Sequence, residues 1–190
     1  VDLAKVEPNA RAVVDVCATH GITVTGVTKG VCGEPEVARA MLRGGVVSIG
    51  ESRLENLRRL RAGGVDAPVL LLRIPSPSQV AEVVELAGIS CNAESSVVDG
   101  LASAARRIGV EHDVVAMVDV GDLREGVWPD QLVTFARHVH DQPGLRLAGV
   151  GANLACFGGV VPTSENMGLL SVLVERVEEE LGERSAMVSG

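Results

Sequence analysis

The chain contains no tyrosine, and across 190 residues it has only two phenylalanines and one tryptophan. No phenol of this chain can therefore serve as an acid or a base. Lysine is almost as scarce: of 17 basic residues, only Lys5 and Lys29 are not arginine. Positive charge also falls short of negative, giving a formal net charge of -8, which argues against nucleic acid or an anionic membrane as partner. No apolar run approaches the roughly 18 to 20 residues that a membrane span requires. The four cysteines (Cys17, Cys32, Cys91, Cys156) never form a C-x-x-C pair, so neither a zinc ribbon nor a disulfide framework is expected. They read as the reduced thiols of a cytoplasmic protein. The four histidines do not cluster either, since His138 and His140 point to different sides of a predicted helix, and no metal site is expected.

What the chain does have is a repeating alternation of two hydrophobic periods. Short runs rich in Val, Ile and Leu predict strands buried on both faces over 22–28, 46–49, 69–74, 89–92, 114–120, 147–154 and 186–189. Between them, 3.6-residue spacing predicts helices over 10–20, 35–42, 53–62, 78–86, 95–108, 129–140 and 164–181. Pro129 and Pro162 sit where a helix start tolerates proline. Apolar strands joined by helices demand a parallel sheet covered on both faces. A (β/α)8 barrel and an open doubly wound sheet both satisfy this. Six strand–helix units followed by a seventh strand favour the barrel, incomplete here because a full one takes about 250 residues. The chain starts at Val1 and stops at Ser189-Gly190, and both ends read as cut.

In either architecture the ligand site lies beyond the carboxyl ends of the strands. Those ends are 28–30, 50–53, 73–75, 92–94, 119–124 and 153–159, where polar residues follow apolar runs. Lys29 ends one such run and is followed by Gly30. A lysine held there and partly desolvated would keep a fraction of free amine, the form that attacks carbonyls. The alternative is a structural cation paired with Glu51 or Glu94. A Schiff-base lysine could hold pyridoxal phosphate or attack a carbonyl substrate directly, as an aldolase does.

Four stretches, in order, resemble the fold-type III pyridoxal-phosphate proteins of the alanine racemase N-terminal barrel group. They are residues 1–10, the strand end Val27-Thr28-Lys29-Gly30, the segment 117–124 with Asp119, Gly121 and Arg124, and the strand 147–155 carrying Asn153. Within that group the chain is most similar to the ornithine racemase-like branch. That likeness rests on Gly30-Val31-Cys32-Gly33, on the segment from Gly50 to Asn56, on Leu71-Leu72-Arg73-Ile74-Pro75 and on the segment from Asn153 to Gly159.

The resemblance implies a pyridoxal-phosphate-dependent amino acid racemase, acting on ornithine or another basic amino acid. Lys29 would form the internal aldimine and, once freed, act as one of two bases. Arg124 would approach the cofactor's phenolic oxygen or the substrate carboxylate; its plainer reading is an ion pair with Asp122 or Glu125. Asn153 would lie against the ring face where many relatives carry histidine, and an amide cannot relay a proton. Met117 stands where alanine racemases proper carry a lysine, which weakens an alanine-specific assignment. Arg73 and Glu51 would line the mouth and read a substrate's distal group, or else pair structurally. Cys32 and Cys156 have no base beside them, so a thiol nucleophile is not expected. In alanine racemases the second base is a tyrosine of the other subunit's C-terminal domain, so a homodimer is implied. That tyrosine and most of a Ser-Gly-Gly-Asn-Ser-like phosphate turn fall outside this chain, so residues 1–190 are expected to be a partial barrel, inactive alone. A non-catalytic pyridoxal-phosphate carrier of the same barrel group is the second reading, and a cofactor-free Schiff-base aldolase the third.

Overall fold

A computed structural model describes residues 1–154 and 159–190. By its internal contacts the chain divides into two units, Val1–Leu72 with Glu85–Gly88, and Arg73–Val84 with Ile89–Gly190. Each is built from the predicted β/α step.

The first unit contains α1 (Leu3–Ala18), β1 (Thr25–Val27), α2 (Pro35–Arg43), β2 (Ser48–Glu51), α3 (Leu54–Ala62) and β3 (Val69–Leu71). Its strands pair in chain order and in parallel, with Gly26 opposite Ile49 and Ile49 opposite Val69. Ile49 and Val69 are fully buried, as a strand covered on both faces requires. Leu54, Leu57 and Leu60 recur at helical spacing and give α3 its buried face. The entry to β3 is held by Arg61, whose guanidinium donates to the carbonyls of Val65 (2.7 Å), Ala67 (3.0 Å) and Leu86 (3.0 Å). That arginine satisfies loop carbonyls which a short connection would otherwise leave without donors.

Helix α1 begins at Leu3, seven residues ahead of the predicted start. Asp2 caps it by accepting the Ala4 N–H at 3.1 Å, and Pro8 lies inside it. A proline there removes one helical hydrogen bond, but only one turn past the amides that have no intrahelical partner anyway.

The second unit holds β4 (Ile89–Asn92), α5 (Ser95–Ile108), β5 (His112–Met117), α6 (Leu132–His140), β6 (Leu145–Gly151), α7 (Ser164–Leu181) and β7 (Met187–Ser189). Helix α4 (Val80–Leu86) contributes residues to both units. The pairings β4–β5, β5–β6 and β6–β7 are again parallel and in chain order. β4, α5 and α7 keep the predicted bounds. Thr163 and Asn166 close a reciprocal cap on α7, so Pro162 precedes the cap instead of opening the helix. Pro129 does not open α6 either: the segment before Leu132 is drawn into a bridge between Val118 and Val127.

A bulge shapes β6. Between Val114 and Val115 of β5 the register moves from Leu147 to Gly149, which leaves Ala148 unmatched. Gly149 then passes so near β7 that a Cβ there would lie 1.8 Å from the Met187 carbonyl oxygen. Only glycine permits that approach. Gly149→Ala is expected to cost about 3 kcal/mol through this backbone clash, read in the full-length protein as a lower urea midpoint. An unchanged midpoint would show that β7 shifts freely.

Candidate active site

The first unit presents Lys29. β1 stops at Val27, two residues before it, and Lys29 opens a single 3-10 turn, Lys29–Val31. The lysine is exposed, in contrast to the partial desolvation expected from an apolar strand end. The strand has already ended at Val27, and Lys29 belongs to the turn and not to the covered strand. Among the described residues Lys29 forms no ion pair, and Glu51 turns elsewhere. The turn itself is tightly specified. Thr28 donates its N–H to the Gly50 carbonyl (3.0 Å), and its own carbonyl accepts from Val31 (3.0 Å) and Gly33 (3.2 Å). Gly33 needs its left-handed φ of +64°, with the Asn56 backbone at 2.8 Å from any added Cβ.

Glu51 is fully buried at the end of β2. Its Oε2 accepts the Thr28 hydroxyl at 3.0 Å, and its Oε1 accepts the Ser52 N–H at 2.6 Å and the Ser52 hydroxyl at 3.4 Å. Both carboxylate oxygens are thus engaged by the protein's own donors.

In the second unit Arg73, Arg124 and Asn153 converge on one residue, Glu125. Its carboxylate lies 3.5 Å from Arg73 Nε and 3.7 Å from Arg124 Nη2. The Asn153 amide donates to the Glu125 carbonyl at 3.1 Å. Arg124 and Glu125 are mostly enclosed, at 25% and 21% side-chain exposure, whereas Arg73 is 64% exposed and its ion pair correspondingly weak. The structural pairing weighed for Arg124 and Arg73 is therefore present, with Glu125 as the shared anion. The two guanidinium groups share the Glu125 carboxylate, and the Asp119 carboxylate bonds the Arg124 backbone N–H, so each cation here lies near an anion of the protein's own.

Arg124 is aimed by Asp119, which follows β5. Asp119 Oδ1 accepts the N–H groups of Gly121 (2.7 Å) and Leu123 (3.2 Å), and Oδ2 accepts that of Arg124 (3.1 Å). The loop needs this brace, since Leu123 sits at φ +52°, a left-handed conformation that a branched side chain adopts at a cost. Beside the cluster, Cys91 is buried and its thiol is pushed up to about 12, first by burial and then by the Glu125 charge. It stays a neutral, inert thiol at neutral pH. Cys32 is exposed and unpaired. Cys156 and its neighbours 155–158 lie outside the described residues.

Deeper in the second unit, His112 Nε2 meets Ser90 Oγ at 2.8 Å, and Asn92 Nδ2 donates to the same oxygen at 2.9 Å. A cavity of about 660 Å³ opens between α5 and α6, lined by Glu94, Ser95, Gln131, Phe135 and His138 among others. It includes none of the expected site residues. Among the described residues no group of three or more His, Cys, Asp or Glu could hold a metal, and no helix is long and apolar enough to cross a membrane.

Comparison with known proteins adds four findings. The family profile described as alanine racemase, N-terminal domain, matches residues 1–190. The lysine racemase of Thermotoga maritima is 33% identical over 190 residues, all of this chain and 53% of that protein. The ornithine racemase of Acetoanaerobium sticklandii is 30% identical over 191 residues, again all of this chain and 54% of that protein. The chain thus spans about half the length of the curated relatives it matches. Among solved structures, an alanine racemase from Streptomyces lavendulae superposes with a TM-score of 0.84 at 22% identity, covering 99% of this chain and 50% of that one. That likeness sets the fold: seven strands of an incomplete parallel β/α barrel, as expected, and not an open doubly wound sheet.

Proposed function

The chain belongs to the alanine racemase N-terminal domain family, and from that premise we propose that the protein it comes from racemises a free amino acid with pyridoxal phosphate held on Lys29. The observation that carries this reading is an exposed lysine amine, free of ion pairing among the described residues, at the carboxyl end of β1. A Cβ placed on the neighbouring Gly30 would meet nothing within 4 Å, so a ring bearing an aldehyde has room to approach. The residues present therefore fit the cofactor. Lys29 would hold it covalently, Asn153 would lie against its ring, and Arg124 would meet its phenolic oxygen or the substrate carboxylate. Arg73, more exposed, would stand beside Arg124 on the same Glu125 carboxylate and line the mouth.

Pyridoxal phosphate, when bound, supplies the electron sink for the charge left on Cα after deprotonation. The amine of Lys29, in its unprotonated form, is the base on one face. The acid or base on the opposite face is not a tyrosine of this chain, which has none. We assign it to another part of the protein, in a homodimer whose subunits complete each other's sites. Residues 1–190 are on this reading part of the cofactor-binding barrel, and the unpaired described cysteines suit a cytoplasmic enzyme.

A basic amino acid is the proposed substrate class. Two relatives that align over the whole chain are named as lysine and ornithine racemases, which supports it. Full-length protein incubated with pyridoxal phosphate in deuterated water is expected to exchange the Cα proton of L-lysine or L-ornithine faster than that of L-alanine or L-serine. Exchange with none of the four would sink the racemase and leave the cofactor carrier.

A further inference from the structure

The turn that carries Lys29 rests on a buried anion that the chemistry above does not use. Glu51 is fully buried, and among the described residues no cation pairs with it. Burying a carboxylate without a counter-charge is costly unless donors meet its oxygens. Three donors here require it: the Thr28 hydroxyl, the Ser52 N–H and the Ser52 hydroxyl. Glutamine could keep both Ser52 bonds on its oxygen, but it would offer Thr28 an N–H, so that bond would survive only with the hydroxyl turned round to accept, and as a neutral bond weaker than one to a carboxylate. The consequence passes to Thr28, also fully buried, whose N–H, carbonyl and hydroxyl are all fixed. Lys29 is the next residue and is exposed, so what the protein fixes of it is the direction in which its Cα–Cβ bond leaves the turn.

We propose that Glu51 is a positioning residue for the Lys29 amine, acting through the Thr28 hydroxyl and not by touching a substrate. The proposal rests on the reading of Lys29 as the reactive amine. Glu51 and Thr28 then form a two-part brace: an all-acceptor group held down by Ser52, and a threonine that transmits its position to the turn. The expectation that Glu51 reads a substrate's distal group gives way to this one, because both of its oxygens are occupied from within.

The test uses the full-length protein in four forms: unaltered, Thr28→Val, Thr28→Ser and Glu51→Gln. Valine keeps the shape of threonine and removes the hydroxyl, whereas serine keeps the hydroxyl. Two quantities are read in each: amide hydrogen exchange at Val31 and Gly33, and the rate at which pyridoxal phosphate becomes fixed to Lys29 by borohydride. Thr28→Val is expected to speed exchange about tenfold, as the loss of one buried hydrogen bond implies, and Glu51→Gln, which weakens that bond without removing it, by a smaller factor. Thr28→Val should also slow fixation by about tenfold or more, as expected for a misdirected nucleophile, with Glu51→Gln slowed in the same direction but less. Thr28→Ser should return both values toward those of the unaltered protein. The proposal is overturned if Thr28→Val matches the unaltered protein, or if Thr28→Ser is as impaired as Thr28→Val. Faster exchange with an unchanged fixation rate overturns it as well, since the brace would then be structural only. Should Glu51→Gln fail to fold, the two Thr28 variants decide the matter. Failure of the unaltered protein to fix the cofactor on Lys29 is a separate result, seen without any variant, and it removes the cofactor reading itself.

Discussion

Lys29→Ala is expected to abolish borohydride-fixed cofactor and to lower racemisation by about ten-thousandfold, while leaving stability within about 0.5 kcal/mol. The two halves of this expectation come from different observations. The activity loss follows from removing the anchor and one of two bases at once. The small stability effect follows from the exposure of Lys29 and its lack of an ion pair among the described residues, so truncation breaks no buried contact. Lys29→Arg sharpens the test. Arginine keeps the positive charge but stays protonated throughout the working pH range and cannot form the covalent link. It should be as inactive as alanine. An active Lys29→Arg protein would mean that the position needs only a charge, which is the structural-cation reading. The measurements are the appearance of the D-isomer with time and a urea titration of each variant.

How far the site was readable from the sequence differs sharply between its parts. The presence and order of the strands were legible from their apolar runs, but not most of their ends: β3, β5 and β6 stop at Leu71, Met117 and Gly151, each three residues before the predicted end, so that Arg73 and Asn153 fall two residues past a strand, Arg124 seven, and only Glu51 lies on a strand's last residue. β4, α5 and α7 kept their predicted bounds because apolar period, caps and glycine stops agreed there. The exposure of Lys29 was not legible, since β1 stops at Val27, one residue before its predicted end, and Lys29 falls in a 3-10 turn. Nor was the burial of Glu51: a glutamate at a strand end can face solvent or fold under its own chain, and only the position of the Thr28 hydroxyl decides between them. Glu125 looked like a mere neighbour of Arg124. Its part as the shared partner of Arg73, Arg124 and the Asn153 amide depends on three segments meeting, which spacing along one chain does not encode. Proline signals misled at Pro129 because the preceding loop is organised by side-chain bonds to Asp119 and by a bridge at Val127, not by a helix start.

That loop supplies the second large effect. Asp119→Ala is expected to lower kcat/KM by about a hundredfold without altering any atom of Arg124. Asp119 gathers three backbone N–H groups within six residues and holds Leu123 in a left-handed conformation. That conformation costs roughly 1 to 2 kcal/mol, and hydrogen bonds to an ionised carboxylate are strong enough to offset it. Alanine offers no acceptor, so the loop relaxes and Arg124 loses its aim; a displacement of about 1 Å in a substrate-positioning group can cost about a hundredfold. Asp119→Asn should fall between, because an amide keeps one acceptor oxygen but cannot serve all three donors. The kinetic pattern separates the two partners assigned to Arg124. Loss confined to KM points to the substrate carboxylate, and weakened cofactor retention points to the phenolic oxygen. A double-mutant cycle with Arg124→Met tests the route itself. If Asp119 acts by aiming Arg124, adding Asp119→Ala to Arg124→Met costs little more. An equal further hundredfold loss in that background would mean that Asp119 serves the site by some path other than the arginine.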